Sequence, residues 1–293
     1  MSRAIQDKVT VPGIRARKGS TERIVALTAS DYPTARALDK ARVDILLVGD
    51  SLAMVVHGHD TTLPITLDLM LAHTAAVTRA RPRALVVADM PFLSYHTGIA
   101  DAVRNAGRFI QEAGAEAVKI EGGRARIDVV KALVAADIPV MGHIGLTPQS
   151  VNSLGGYRVQ GKSLTQVEKL LDDAAALDEA GVFSIVLEGM PAQAAHLVTR
   201  AVTVPTIGIG AGPDCDGQVL VTHDLLGFGE STPARFVRRY ADLSATIADA
   251  ARRFAADVQT GDYPAQRETY PCPPELEAQL DERTTTDRPL RRR

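Results

Sequence analysis

Four acidic residues each close an apolar, strand-like run: Asp50 ends LLVGD, Asp89 ends LVVAD, Glu121 ends AVKIE and Glu188 ends IVLE. A carboxylate just past a strand of Val, Ile and Leu stands where a parallel barrel opens to solvent, so four such runs aim four anions at one mouth. Their mutual repulsion costs stability unless a cation lies between them. Such a layout is the chemistry of a hard-metal or acid/base site.

Asp50 and Asp89 form the strongest pair. Two carboxylates on adjacent strands suit magnesium, which takes oxygen ligands in an octahedron and keeps positions open for a chelating substrate. An α-keto acid offers that chelate through its carboxylate and keto oxygens. Turn formation explains any single Asp equally well, and explains two at matching strand ends less well. Lys119 and Glu121 are two apart and therefore share one strand face, with Ile120 opposite. A Lys aimed into a barrel must meet an anion. Three roles stay open for it: holding a substrate carboxylate, pairing with a neighbouring strand, or forming a Schiff base. Glu188, followed by the turn Gly189-Met190-Pro191, suits proton transfer at a carbon next to a carbonyl. His143 in MGHIG is a second proton carrier or hydrogen-bond donor, although a lone His at a strand end is more often structural.

These side chains need a scaffold that brings strand ends together. Strand patterns fall at residues 24–28, 45–49, 85–88, 117–120, 139–142, 184–187, 206–209 and 219–222, about the eight a closed barrel requires. Between them, Ala-rich stretches at 32–42, 66–81, 98–113, 164–180 and 192–201 carry helical spacing, with Thr66 as an N-cap. The alternation predicts an α/β fold, with an N-terminal extension over 1–20, a barrel over 21–262 and a partly disordered tail over 263–293 rich in Pro, Glu, Thr and Arg. The segment HIGLTPQSVNSLGGYRVQGKS is too long for an ordinary strand-to-helix connection and reads as a lid or binding loop. In PTIGIGAGPDCDGQ the spacing Gly208-x-Gly210-x-Gly212 brings the third Gly too early for a dinucleotide fingerprint. A tight turn that lets backbone approach an anion or a large ligand fits better.

Bulk properties narrow the class. Hydrophobic residues make up 45% and charged residues 23% of the 293, with a formal net charge of -2, so no basic footprint for nucleic acid exists. Cys215 and Cys272 lack metal or disulfide spacing. No apolar run reaches membrane-spanning length and the first residues lack a signal-peptide core, which predicts a soluble cytoplasmic protein.

Several runs taken together, LLVGDSLAMVVHGHDTTLPITLDLMLAHTAAV, VVADMPF, AVKIEGG, PVMGHIGLTPQSVNSLGGYRVQGK and PTIGIGAGPDCDGQVLV, resemble the ketopantoate hydroxymethyltransferase family in content and order. The resemblance covers most of the chain. It implies a (β/α)8 TIM barrel of the phosphoenolpyruvate mutase/isocitrate lyase type. It also implies transfer of a hydroxymethyl group from 5,10-methylenetetrahydrofolate to 3-methyl-2-oxobutanoate, giving 2-dehydropantoate and tetrahydrofolate on the way to pantothenate, through a magnesium-stabilised enolate. By the same resemblance one Mg2+ per subunit is held by Asp50 and Asp89 with Glu121 nearby, and Asp50, Ser51, Asp89 and Lys119 contact the keto acid. Glu188 is the catalytic proton acceptor, and the assembly is a homo-oligomer, a decamer built from dimers. Asn152 stands where some relatives have His, and the tail runs past the family's usual end. Two other readings remain: a lyase or mutase of the same barrel group, weakened by the lack of its cysteine segment, and a non-catalytic binding barrel, for which a poised base at Glu188 has no use.

Overall fold

The computed structural model describes residues 7–229 and 234–286. Eight parallel strands close into one barrel in sequential order: β1 (Ile24–Thr28), β2 (Ile45–Val48), β3 (Leu85–Asp89), β4 (Ala117–Glu121), β5 (Val140–Gly145), β6 (Ser184–Glu188), β7 (Thr206–Ile209) and β8 (Gly217–Leu220). Strands β2 to β6 are short and buried on both faces for most of their length, as parallel strands beneath helices must be, while β1 and β8 leave Val25 and Gln218 exposed. The eighth pattern, expected at 219–222, is shifted two residues earlier, because Gly217 pairs with both Ile24 and Ile207. No Cβ would be accommodated at Gly217, where it would lie 2.5 Å from Ile24 O, so an apolar-run criterion overlooks the strand's start.

Short α1 (Val11–Arg15) precedes the barrel. The outer layer consists of α2 (Tyr32–Lys40), α4 (Leu67–Thr78), α5 (Ile99–Gln111), α6 (Ile127–Ala135), α8 (Leu164–Glu179) and α9 (Ala192–Ala201), with α10 (Thr222–Leu226) after β8. Two single turns, α3 (Leu52–Val55) and α7 (Val151–Leu154), lie in the connections after β2 and β5. Thr66 caps α4 by accepting from Leu69 N, as its position predicts. The β7–β8 connection holds no helix, and the Gly-rich run is that connection.

Alternation divides each strand between two cores. Ile45, Leu47, Leu85, Val87 and Ala117 fill the barrel interior, while Leu46, Val48, Val86, Val118 and Ile120 pack beneath the helices. Continuing the inward series one or two steps reaches Asp89 on β3, Lys119 and Glu121 on β4, His143 on β5 and Glu188 on β6. The strand period thus delivers these groups to the C-terminal mouth. Parallel register sets Asp89 beside Lys119 and Glu121 beside His143.

The first segment is more than an extension. Ile14 is fully buried with the interior residues, and Gly19 N and Lys18 Nζ bond Asp216 at 2.8 and 3.1 Å, so these residues close the barrel's N-terminal end. At the other end, the chain divides into compact units at Ala241/Asp242, earlier than the barrel limit of 262 taken from sequence. The second unit holds α11 (Leu243–Thr260) and α12 (Pro274–Thr286), so a helix occupies much of the region expected to be a partly disordered tail. Residues 287–293 of that tail lie outside the described residues. Among the described residues no helix is long and apolar enough to cross a membrane.

Candidate active site at the barrel mouth

One cavity of about 190 Å³ opens at the C-terminal ends of the strands and is lined by Asp50, Asp89, Lys119, Glu121, His143 and Glu188. Ser51 and Thr28 share its wall. The charged and hydroxyl candidates from sequence, Asp50, Ser51, Asp89, Lys119, Glu121, His143 and Glu188, therefore meet in one place, whereas Gly208, Gly210 and Gly212 are not among its lining residues. Gly49 keeps room there, since a Cβ on it would stand 3.0 Å from Ser51 Oγ and 3.6 Å from Asp89 Oδ2.

The ends of β2 and β3 are tied by Asp50 N, which donates to Asp89 Oδ2 at 3.0 Å. Lys119 Nζ stands 3.2 Å from Asp89 Oδ1, an ion-pair distance without hydrogen-bond geometry, so Oδ1 has no hydrogen-bond donor among the described residues. Lys119 Nζ also approaches His143 Nδ1 at 3.1 Å, and His143 Nε2 faces Glu188 Oε2 at 3.2 Å. With Lys119 charged, that contact requires a lone pair on Nδ1, which assigns the Nε2–H tautomer to the neutral ring.

Burial and charge set the proton affinities. Burial opposes the Lys119 ammonium, but Asp89, Glu121, Asp50 and Glu188 outweigh it and hold the amine protonated well above its ordinary range. A protonated amine is not a Schiff-base nucleophile, so this environment favours Lys119 as a cation over Lys119 as a nucleophile. For His143, burial and Lys119 oppose protonation, yet hydrogen bonding toward Glu121 and Glu188 lifts its pKa to about 9. A second proton would sit on Nδ1, 3.5 Å from Glu121 Oε1. Glu121 is held below its ordinary value: burial pushes it up, but His143, Lys119 and the Gln149 N–H more than compensate. Asp50 goes the other way, well upward, through burial first and then repulsion from Asp89 and Glu121. Burial likewise raises Asp89, against the pull of Lys119.

The donor set fits a hard divalent ion. Asp50 is only 4% exposed and, among the described residues, its carboxylate has a neutral amide as its one hydrogen-bond donor while Asp89 Oδ1 is buried without any. A cation between the two would relieve the desolvation and repulsion that raise Asp50. Among the described residues no group of three or more His, Cys, Asp or Glu side chains closes a metal site unaided. Glu121 has one oxygen, Oε2, bonded by Gln149 N at 2.9 Å, and its other oxygen has no hydrogen-bond donor among the described residues.

Gln149 is the functional residue that sequence reasoning missed. It is buried, its Nε2 donates to Asp50 Oδ2 at 2.8 Å and to Met90 O at 3.0 Å, and its Oε1 accepts from Tyr95 Oη at 2.7 Å. The loop that carries it was recognisable as a binding loop. The signal available was Pro148 at a helix start, which fixes the backbone just before Gln149. From the same loop Tyr157 reaches the cavity, with its Oη 3.6 Å from Met54 Sδ.

Comparison with known proteins places this geometry in context. The family model described as ketopantoate hydroxymethyltransferase matches residues 8–266. A curated relative named 3-methyl-2-oxobutanoate hydroxymethyltransferase, from Koribacter versatilis (strain Ellin345), is 54% identical and covers 94% of each chain. Among solved structures, 2,3-dimethylmalate lyase, a PEP mutase/isocitrate lyase superfamily member, superposes with a TM-score of 0.55 at 17% identity, over 97% of this chain and 100% of that one. Phosphonopyruvate hydrolase in complex with oxalate and Mg++ gives 0.56 at 15% identity, over 94% and 96%. At such identities the two structures speak for the barrel fold alone.

Proposed function

The chain belongs to the ketopantoate hydroxymethyltransferase family, and from that premise we propose that it transfers a hydroxymethyl group from 5,10-methylenetetrahydrofolate to 3-methyl-2-oxobutanoate, giving 2-dehydropantoate and tetrahydrofolate. The single observation that supports this most is the shared cavity in which Asp50, Asp89, Lys119, His143 and Glu188 converge. One water is consumed overall, because the transferred carbon arrives as methylene and leaves as hydroxymethyl.

Asp50 and Asp89 would hold a magnesium ion, with Glu121 behind them. Such an ion acts as a Lewis acid on the chelated keto acid and lowers the cost of enolisation. The chain's own residues do the rest. Lys119, fixed as a cation by its carboxylate neighbours, holds the negative charge of the keto acid, and Ser51 on the cavity wall offers a hydroxyl to it. Glu188 accepts the C3 proton, with His143 Nε2–H orienting its second oxygen from 3.2 Å. Water adds to the folate's methylene carbon and the two tetrahydrofolate nitrogens leave with their bonding pairs, one taking a proton, so that the one-carbon unit is released as formaldehyde; C3 then attacks its carbonyl carbon, and the carbonyl oxygen takes a proton to become the new hydroxyl. Apolar Val186, Ile209 and Val219 line the same space and limit water near the reacting carbon.

A turnover assay with the keto acid, methylenetetrahydrofolate and magnesium tests the proposal. Formation of 2-dehydropantoate that stops with EDTA and in Asp50→Ala is expected; activity that survives both would refute the reading. The family footing extends the proposal to a homo-oligomer, which sedimentation velocity reads directly.

A further inference from the structure

The cavity does not end at the carboxylates. It continues along Leu220 and Val221 to Asp224 on α10 and to Phe236. Asp224 stands on α10, after β8, rather than at the ends of β2, β3, β4 and β6 that carry the other acids, and among the described residues His223 and Arg239 are the charged groups that pull on it. It is half-buried, and burial raises its proton affinity against the pull of those two residues. Among the described residues no hydrogen-bond donor engages its carboxylate. A carboxylate set in an apolar wall under these conditions is stabilised by a ligand that brings paired N–H donors.

Phe236 supplies a flat surface beside it. Its ring lies over Gly210, where a Cβ would come 2.7 Å from ring Cδ1 and 3.1 Å from Cε1 and Cγ. Any side chain at position 210 would displace the ring, and Gly210 has a φ of +60°, which also favours glycine. Gly210 thus makes room for an aromatic ring that is 41% exposed and borders the cavity.

We propose that Asp224 and Phe236 form the subsite for the 2-amino-4-oxopyrimidine end of the folate co-substrate. This rests on the transferase reading above and deepens it. The 2-amino group and the N3–H of a reduced pterin present two parallel N–H donors, matched in spacing to the two oxygens of a carboxylate. The ring face stacks on Phe236. Because the one-carbon unit sits on the side of the bicycle away from the 2-amino group, holding the pyrimidine edge at Asp224 turns the methylene carbon back toward Glu188 and the keto acid.

Asp224→Asn keeps the shape and replaces one acceptor by a donor. Its KM for methylenetetrahydrofolate, and the Kd for tetrahydrofolate from calorimetry, are expected to rise about tenfold or more, the loss of a charge-assisted bond. Exchange of the keto acid's C3 proton with deuterated solvent, measured without folate, is expected to stay within about twofold of wild type. Phe236→Leu, which keeps an apolar wall without the flat ring, is expected to raise the same KM. A smaller change in folate binding, or an equal fall in C3 exchange, overturns the subsite. Wild-type protein that neither exchanges the C3 proton nor turns over would instead sink the transferase reading, so the two failures are told apart.

Discussion

The side-chain amide of Gln149 donates to Asp50 Oδ2 over 2.8 Å while its backbone N–H donates to Glu121 Oε2 over 2.9 Å. One residue of the β5 loop therefore sets the direction of two carboxylates from two other strands. Groups that orient metal ligands from behind typically govern about 10–100-fold in metal affinity.

Gln149→Ala should accordingly weaken magnesium binding by about 10- to 100-fold. Folding stability should fall by about 1–3 kcal/mol, from the donors and acceptors left unpaired in a buried site. Titration calorimetry with magnesium and keto acid, beside denaturant unfolding, reads both. An unchanged metal affinity would mean that Gln149 only fills space.

Lys119 is the one Lys or Arg among the residues lining the cavity. Lys119→Met should destabilise the metal-free protein by about 3–5 kcal/mol, the usual cost of leaving a buried charge without its partner. Added magnesium should restore part of that loss by supplying another cation. Urea unfolding with and without magnesium decides the matter, and a variant as stable as wild type in EDTA would contradict the role assigned to this lysine.

Glu188→Gln removes the proposed proton acceptor and keeps the shape. C3 deuterium exchange of 3-methyl-2-oxobutanoate should slow by about 10²–10⁴-fold. Binding of the keto acid should change little, since the proposal assigns it to Lys119 and the metal. Exchange near the wild-type rate would move the base elsewhere, with His143 the next group in reach.

A pH effect is expected at the opposite end of the barrel. Burial pushes the Asp216 carboxyl up, but the N–H groups of Thr206 and Gly19 and the Lys18 ammonium outweigh burial and lower it. A lowered folded-state pKa means stability that is present above the unfolded value, about 3.9, and lost as pH falls through the folded one. Wild type should therefore lose stability on acidification below about pH 4, and Asp216→Asn should flatten that slope while being less stable at neutral pH. Parallel slopes for the two proteins would contradict this assignment.

Much of this was legible in the chain because parallel strands are strongly patterned. The period of two that separates Ile120 from Lys119 and Glu121 predicts which of them face the mouth, and both reach it. Asp50, Asp89 and Glu188 were found because they terminate apolar runs. Gln149 was not, because a neutral amide in a loop carries no charge or periodicity, and its partners lie as far as 99 residues away. Ile14 escaped for a related reason: one apolar residue in a polar segment gives no signal until the barrel's open end shows what must plug it. Gly210 looked like a ligand-approach glycine, and the structure gives its space to Phe236.

A crystal structure of the protein soaked with magnesium and 3-methyl-2-oxobutanoate tests the central claim most directly. The account predicts one ion bridging the Asp50 and Asp89 carboxylates, chelated by the keto acid, with C3 turned toward Glu188. An ion or keto acid lodged away from these two aspartates, or a C3 facing away from Glu188, would contradict it.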